Sequence, residues 1–252
     1  MLPEVMLELI LKTMLGSRGA AYPGERADLT PKFADRRMVL DAYARTKGPV
    51  AFLDESYQAP KDTAHGDKTF YIFTAVLVAT KDFDALRDGL VEIAGERYWH
   101  TTDALRDGRL DDIRDMLEFL GDGGEPCVIA HKVAVADEDA EAELARRICY
   151  QALAVELANG RPGAWGPVDL LLMEERNQRH LKNNDAATHK ALVTDKRIPR
   201  QTRLLQVSPA AELLLWLPDL VSSVFRRTLT HSDETSQLFD VVKDQVHFVR
   251  PG

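Results

Sequence analysis

Cysteine is nearly absent. The chain has only Cys127 and Cys149, one in an apolar strand-like run and the other in a helical one, and a pair so placed reads as buried free thiols. This excludes a disulfide-stapled secreted scaffold and points to a reducing, cytoplasmic compartment. No apolar run reaches the roughly 18 residues that a membrane-spanning helix needs. The first residues are apolar, but Glu4, Glu8 and Lys12 interrupt them, so the basic start and clean apolar core of a signal peptide are missing. Positive charge is in deficit: 32 Lys and Arg stand against 40 Asp and Glu, a net charge of -8. A protein that coats nucleic acid needs a broad basic surface, so any polyanion site here must be local. Two histidines at short helical spacing around a Glu are also lacking, which argues against a zinc hydrolase. No internal repeat or low-complexity tract occurs, which excludes solenoids and propellers.

What remains is a chain of 252 residues, 45% apolar, enough to build one sizeable core. Residues 2–14 carry Leu2, Val5, Met6, Leu9 and Ile10 at helical spacing, and a short helix is expected from Pro31. Residues 1–48 therefore read as an N-terminal helical extension, followed by one α/β domain over 49–252. In that domain the patterns predict strands at 50–53 and 69–78, an antiparallel pair joined by a short polar loop. Amphipathic helices are expected at 81–96 and 110–120, with strands at 126–135, 168–173 and 203–207. A helix is expected over 138–159, and another over 211–229, interrupted near Pro218. The tail with Val241, Val242, Val246 and Phe248 is too short to fold alone and is expected to pack on the same domain.

Acids mark the ends of two of these strands, in Leu53-Asp54-Glu55 and in Met173-Glu174-Glu175. A carboxylate closing an apolar strand is costly to desolvate unless a cation or hydrogen-bond donors compensate it. Side chains alternate along a strand, so Asp54 and Glu55 point to opposite faces. If the two strands are parallel neighbours their acids lie side by side, and hard cations such as Mg²⁺ or Mn²⁺ choose carboxylate oxygens. A third acid, Asp219, sits in the apolar run Leu213-Leu214-Leu215-Trp216-Leu217-Pro218-Asp219-Leu220-Val221. It either projects from a packed helix towards the strand ends or merely occupies a first helical turn that begins at Pro218.

The order of these motifs resembles the bacterial domain of unknown function 3800 family, a divergent ribonuclease H-like group, over roughly residues 49–230. The matching stretches are Asp54-Glu55-Ser56, the strand Tyr71-Ile72-Phe73-Thr74-Ala75-Val76, His100, Glu174 with Glu175-Arg176, and Pro218-Asp219-Leu220-Val221. The resemblance implies a ribonuclease H-like mixed sheet, with antiparallel first strands and parallel later ones, flanked by helices. It also implies that Asp54, Glu174 and Asp219 hold Mg²⁺ or Mn²⁺. The chain departs from the family at Tyr57, where Gly is usual, and at Pro218, within a run that commonly reads Gln-x-Ala-Asp.

The expected activity is metal-dependent phosphodiester hydrolysis of nucleic acid. Glu55 and His100 join the catalytic candidates, and Glu175 joins the metal-facing ones. After Glu175 comes a basic run from which Arg176, Arg179, Lys196, Arg197 and Arg200 are candidates for holding the phosphate backbone, the alternative being a solvated face. DNA and RNA are equally open as the nucleic acid. The competing expectation, favoured by Tyr57 and Pro218, is a non-catalytic ribonuclease H-like binding or scaffold protein that acts with a partner protein or as a homo-oligomer. No membrane partner is expected.

Overall fold

The computed structural model describes residues 30–64 and 67–252. The helix expected over residues 2–14 lies outside them. Helix α1 (Thr30–Tyr43) leads to strand β1 (Val50–Gln58) and strand β2 (Phe70–Val78). Three helices follow, α2 (Phe83–Ala94), α3 (Thr101–Arg106) and α4 (Leu110–Gly123), and then strand β3 (Cys127–Val133). The second half alternates: helix α5 (Glu143–Asn159), strand β4 (Leu170–Glu174), helix α6 (Arg179–Thr194), strand β5 (Arg203–Val207) and helix α7 (Trp216–Thr230). A short strand, β6 (Val246–Val249), closes the chain.

The strands form one six-stranded sheet in the order β5-β4-β1-β2-β3-β6. Strand β2 runs antiparallel to both β1 and β3, while β4 and β5 run parallel to β1. This is the mixed sheet expected of a ribonuclease H-like chain. Helices cover both faces. Val50, Phe52, Leu170 and Leu172 face a core shared with α1, α2, α4 and α7, where Leu90, Met116, Leu117 and Leu220 are buried. Ala51, Leu53, Leu171 and Met173 face the other core, against Cys149, Leu153 and Leu157 of α5 and Leu192 of α6. The strict alternation is what a strand buried on both sides requires. Both cysteines are free and buried. No helix among the described residues is long and apolar enough to cross a membrane.

Four expectations need correction. Strand β1 does not end at its acids: it pairs with β2 as far as Gln58 opposite Phe70, whereas its pairing with β4 stops at Leu53 opposite Met173. Asp54 lies level with Glu174, the last residue of β4, and residues 55–58 overhang its end. Helix α5 starts at Glu143 rather than at residue 138, because the Asp139 carboxylate accepts the N–H groups of Leu144 and Ala145 and fixes the first turn there. Pro218 does not interrupt its helix. It lies in the first turn of α7, where its missing N–H has no intrahelical partner to lose. The polar stretch over 176–200 contains a full helix, α6, whose length turns out to matter for the site.

Candidate functional site

The overhang of β1 past β4 creates the floor of an open cleft of about 440 Å³. Its walls hold Asp54, Glu55, Glu174, Glu175 and Asp219, together with His100, Arg176 and Arg226. The register explains the grouping. Asp54 follows Leu53, which pairs with Met173, so Asp54 and Glu174 occupy adjacent strands just beyond the last matched pair. Both continue the faces of Phe52 and Leu172, towards α7. Asp219 comes from the first turn of that helix, and Ser223 and Arg226 follow it on the cleft side at helical spacing.

Three carboxylates so placed repel one another. Asp54 is 7% exposed; burial raises its pKa well above the usual carboxylate value, and the charges of Asp219, Glu174 and Glu55 raise it further. Glu174 is pushed up to about 7 by burial and by Asp219, Glu55 and Glu175, while a hydrogen bond with Asp54 pulls the other way. The physical cause is desolvation compounded by like charge.

Asp219 is not turned to solvent. Its Oδ2 accepts the backbone N–H and the hydroxyl of Thr101, each at 2.8 Å. Thr101 is the first residue of α3, so Asp219 supplies the acceptor that an unpaired helix N-terminus needs. The hydroxyl of Thr101 accepts in turn from the Trp99 indole at 3.0 Å. Trp99 is buried and His100, next to it, is exposed on the cleft wall: packing claims the indole and leaves the imidazole free to face the cleft. Among the described residues, no three His, Cys, Asp or Glu side chains are set together as ligands of one ion.

Glu55 points to the opposite face, as alternation requires. It pairs with Arg146 of α5, which is 2% exposed in its side chain, and its Oε2 is buried without a hydrogen-bond partner. Arg146 also grips Asp185 of α6 through two nitrogens, at 2.8 and 2.9 Å, and donates to the Tyr71 hydroxyl at 2.7 Å. Residue pattern alone does not announce this buried network, because Arg146 sits on a helix that reads as an ordinary amphipathic one. Glu175 is paired with Lys182.

The basic run is divided by α6. Arg176 lines the cleft and is paired with Glu143, with one nitrogen at 3.1 Å. Arg179 opens α6. Lys196, Arg197 and Arg200 lie past its far end, where they line a separate depression with Ile198 and Pro199. Sixteen residues of helix put about 24 Å between the two groups at 1.5 Å per residue. Arg203, just beyond them, pairs with Leu170 at the start of β4, the end away from Glu174. The structure thus brings Arg176 to the acids but not Lys196, Arg197 or Arg200. Arg226 is a cleft cation that the basic run did not reveal; its spacing of seven residues from Asp219 was the available signal.

The donors fit a hard divalent cation in chemistry: Asp54, Glu174 and Asp219 offer only oxygen, they come from three separate elements, and burial with mutual repulsion raises Asp54 and Glu174. No family model matches the chain, including one for the family that the order of its acids resembles. No curated protein matches it either. Among solved structures, the chain aligns with a mutant of Bst-RNase HIII at 14% identity and a TM-score of 0.37, over 87% of this chain and 65% of that one. It therefore spans just under two thirds of the length of that relative.

Proposed function

We propose that this protein hydrolyses phosphodiester bonds in nucleic acid with the help of Mg²⁺ or Mn²⁺ held by Asp54, Glu174 and Asp219. One observation carries the reading: acids from β1, β4 and α7 share a polar cleft in which burial and mutual repulsion raise Asp54 and Glu174 together. Such a cluster is a poor device for stability and a good one for capturing positive charge. A bound divalent cation supplies Lewis acidity towards the phosphate and an activated water. The chain does the rest. Arg176 and Arg226 hold the phosphate backbone beside the acids. His100, exposed on the cleft wall next to the Thr101 that Asp219 holds, would hand a proton to the leaving oxygen or take one from the water. Glu55 and Glu175, each tied to a cation of the protein, set the charge at the cleft floor.

The second reading, a binding or scaffold protein without catalysis, draws on the tether between Asp219 and Thr101. An acid already engaged as a helix cap is less available to a metal.

Incubation of the protein with DNA, RNA and hybrid oligonucleotides and Mn²⁺, beside Asp54→Asn, separates the two. The nuclease reading expects cleavage by wild type that Asp54→Asn abolishes. Binding without cleavage, or cleavage equal in both proteins, rejects it.

A further inference from the structure

We propose that the acid cleft takes single-stranded nucleic acid, with an unpaired base laid against the open face of Tyr57. The inference rests on the nuclease reading for what becomes of the strand, but its test does not depend on cleavage.

Tyr57 lies on the overhanging end of β1 and lines the cleft beside Glu55, Ser56 and Arg176. Its ring is stacked on that of Tyr71, with centroids 5.4 Å apart and planes 9° from parallel. Tyr71 is itself immobilised: it is 2% exposed and its hydroxyl accepts a hydrogen bond from the buried Arg146. One face of Tyr57 is therefore seated on a fixed support, while the residue as a whole remains 42% exposed. By alternation Tyr57 shares the face of Glu55 and so lies at the rim of the cleft that it helps to line, where a flat ring held in one orientation on Tyr71 is a stacking platform.

Charge decides which nucleic acid fits. A duplex carries one negative charge per roughly 1.7 Å and is held chiefly by many phosphate contacts. Here the cleft offers Arg176 and Arg226 against Asp54, Glu55, Glu174, Glu175 and Asp219, in a chain of net charge -8. Arg176 is already committed to Glu143, and Arg226 sits over the Phe70 ring, 5.8 Å from its centroid, with burial and the neighbouring Arg227 lowering its pKa. Glu55 and Glu175 are paired with Arg146 and Lys182, which leaves two arginines beside the three remaining acids, too little positive charge for the many phosphate contacts a duplex relies on. A single strand has half the linear charge of a duplex and exposes the flat faces of its bases, so it gains affinity from stacking that owes nothing to phosphate charge. In a duplex those faces are covered by neighbouring pairs, and Tyr57 has nothing to receive.

The test is fluorescence anisotropy of labelled single-stranded DNA, single-stranded RNA and duplexes of the same sequence, in Ca²⁺, with wild type, Tyr57→Phe and Tyr57→Leu. Wild type should bind at least one single strand about tenfold more tightly than any duplex; the DNA and RNA arms distinguish the sugar. Tyr57→Phe should match wild type, and Tyr57→Leu, which still covers Tyr71, should lose about tenfold through the missing stack. A fluorescent aminopurine base in the strand adds a readout that a merely structural Tyr57 would not move, since its quenching on binding should vanish in Tyr57→Leu. Duplex bound as tightly as single strand, or Tyr57→Leu binding and quenching like wild type, overturns the proposal, as does no binding at all. Cleavage is scored separately in Mn²⁺. Cleavage that prefers duplexes overturns the proposal and leaves the nuclease reading standing, whereas single strands bound through Tyr57 and never cut uphold the proposal and remove that reading.

Discussion

The Asp219 carboxylate holds Thr101 by both its backbone N–H and its hydroxyl, each at 2.8 Å, and so ties the first turn of α7 to the first turn of α3. An acid that the sequence offered as either a metal ligand or a helix-turn residue thus has a partner that neither reading foresaw. Because one oxygen accepts twice, Ser223 being 3.4 Å from the other, the charge sits at the cleft wall while the contact fixes the segment that carries His100.

Replacing Asp219 with Asn should therefore cost both stability and metal affinity. The amide keeps one acceptor for Thr101 but loses the charge, which should lower stability by about 1 kcal/mol, within the range by which hydrogen bonds to charged groups exceed neutral ones. Calorimetric titration of Mn²⁺ should show weaker binding by Asp219→Asn. Equal affinities would remove Asp219 from the metal site and leave it as the anchor of α3 alone.

The raised acids give the metal-free protein a defined pH dependence. Asp54 lies well above 3.8 and Glu174 moves from 4.5 to about 7, so between these limits the folded chain holds more protons than the unfolded one. Stability is then greatest at low pH, as far as these groups are concerned, and falls as pH rises through about 7. The loss should be on the order of 3 kcal/mol for the Glu174 shift alone. Asp54→Asn removes one titrating group and part of the repulsion on Glu174, so its thermal midpoint should fall less than that of wild type between pH 5 and pH 8. Parallel curves for the two proteins would show that Asp54 does not titrate with the cluster.

Much of this was legible beforehand, for a reason that shows where legibility ends. The strands are legible because Val50 to Leu53 and Leu170 to Met173 are apolar on both faces, and the shared face of Asp54 and Glu174 follows from alternation once β1 and β4 are parallel neighbours in the register that pairs Leu53 with Met173. Strand β6 was not recognised as a strand: four residues, Val246 to Val249, at a sheet edge carry little pattern, and only the pairing of Cys127 with Val246 through Ala130 with Val249 defines it. The spread of the basic run was hidden because composition records charge but not the helix that separates Arg176 from Arg200. The Arg146 network was hidden because an ion pair between α5 and α6 leaves no spacing rule in the chain.

That network makes a stability prediction. Arg146 neutralises Asp185 and Glu55 inside the protein, so Arg146→Met leaves two buried carboxylates without their cation. Breaking a buried pair in this way costs about 3–5 kcal/mol. Urea unfolding of Arg146→Met should show a loss of that size, much of it recovered when Asp185 is replaced by Leu in the same chain. A single-variant loss below about 1 kcal/mol would mean that water, rather than Arg146, already compensates these acids.

The divided basic run predicts a divided effect on nucleic-acid binding. Arg176 and Arg226 face the acids, and Arg197 and Arg200 lie about 24 Å away along α6 by its rise per residue, in a depression of their own. A strand held in the cleft releases counterions in proportion to the phosphates neutralised there, so each cleft arginine removed should reduce the slope of log affinity against log salt by about 0.7 for a single strand. Arg176→Ala should also free Glu143 and thereby add a negative charge at the cleft mouth, which makes its loss of affinity the larger of the two. Anisotropy titrations over a range of salt concentrations, using Arg176→Ala, Arg226→Ala and the double variant Arg197→Ala with Arg200→Ala, resolve the question. The first two should flatten the salt dependence and the double variant should follow wild type. If the double variant flattens it instead, the nucleic acid runs along α6 to the far depression, and the site extends well beyond the acids.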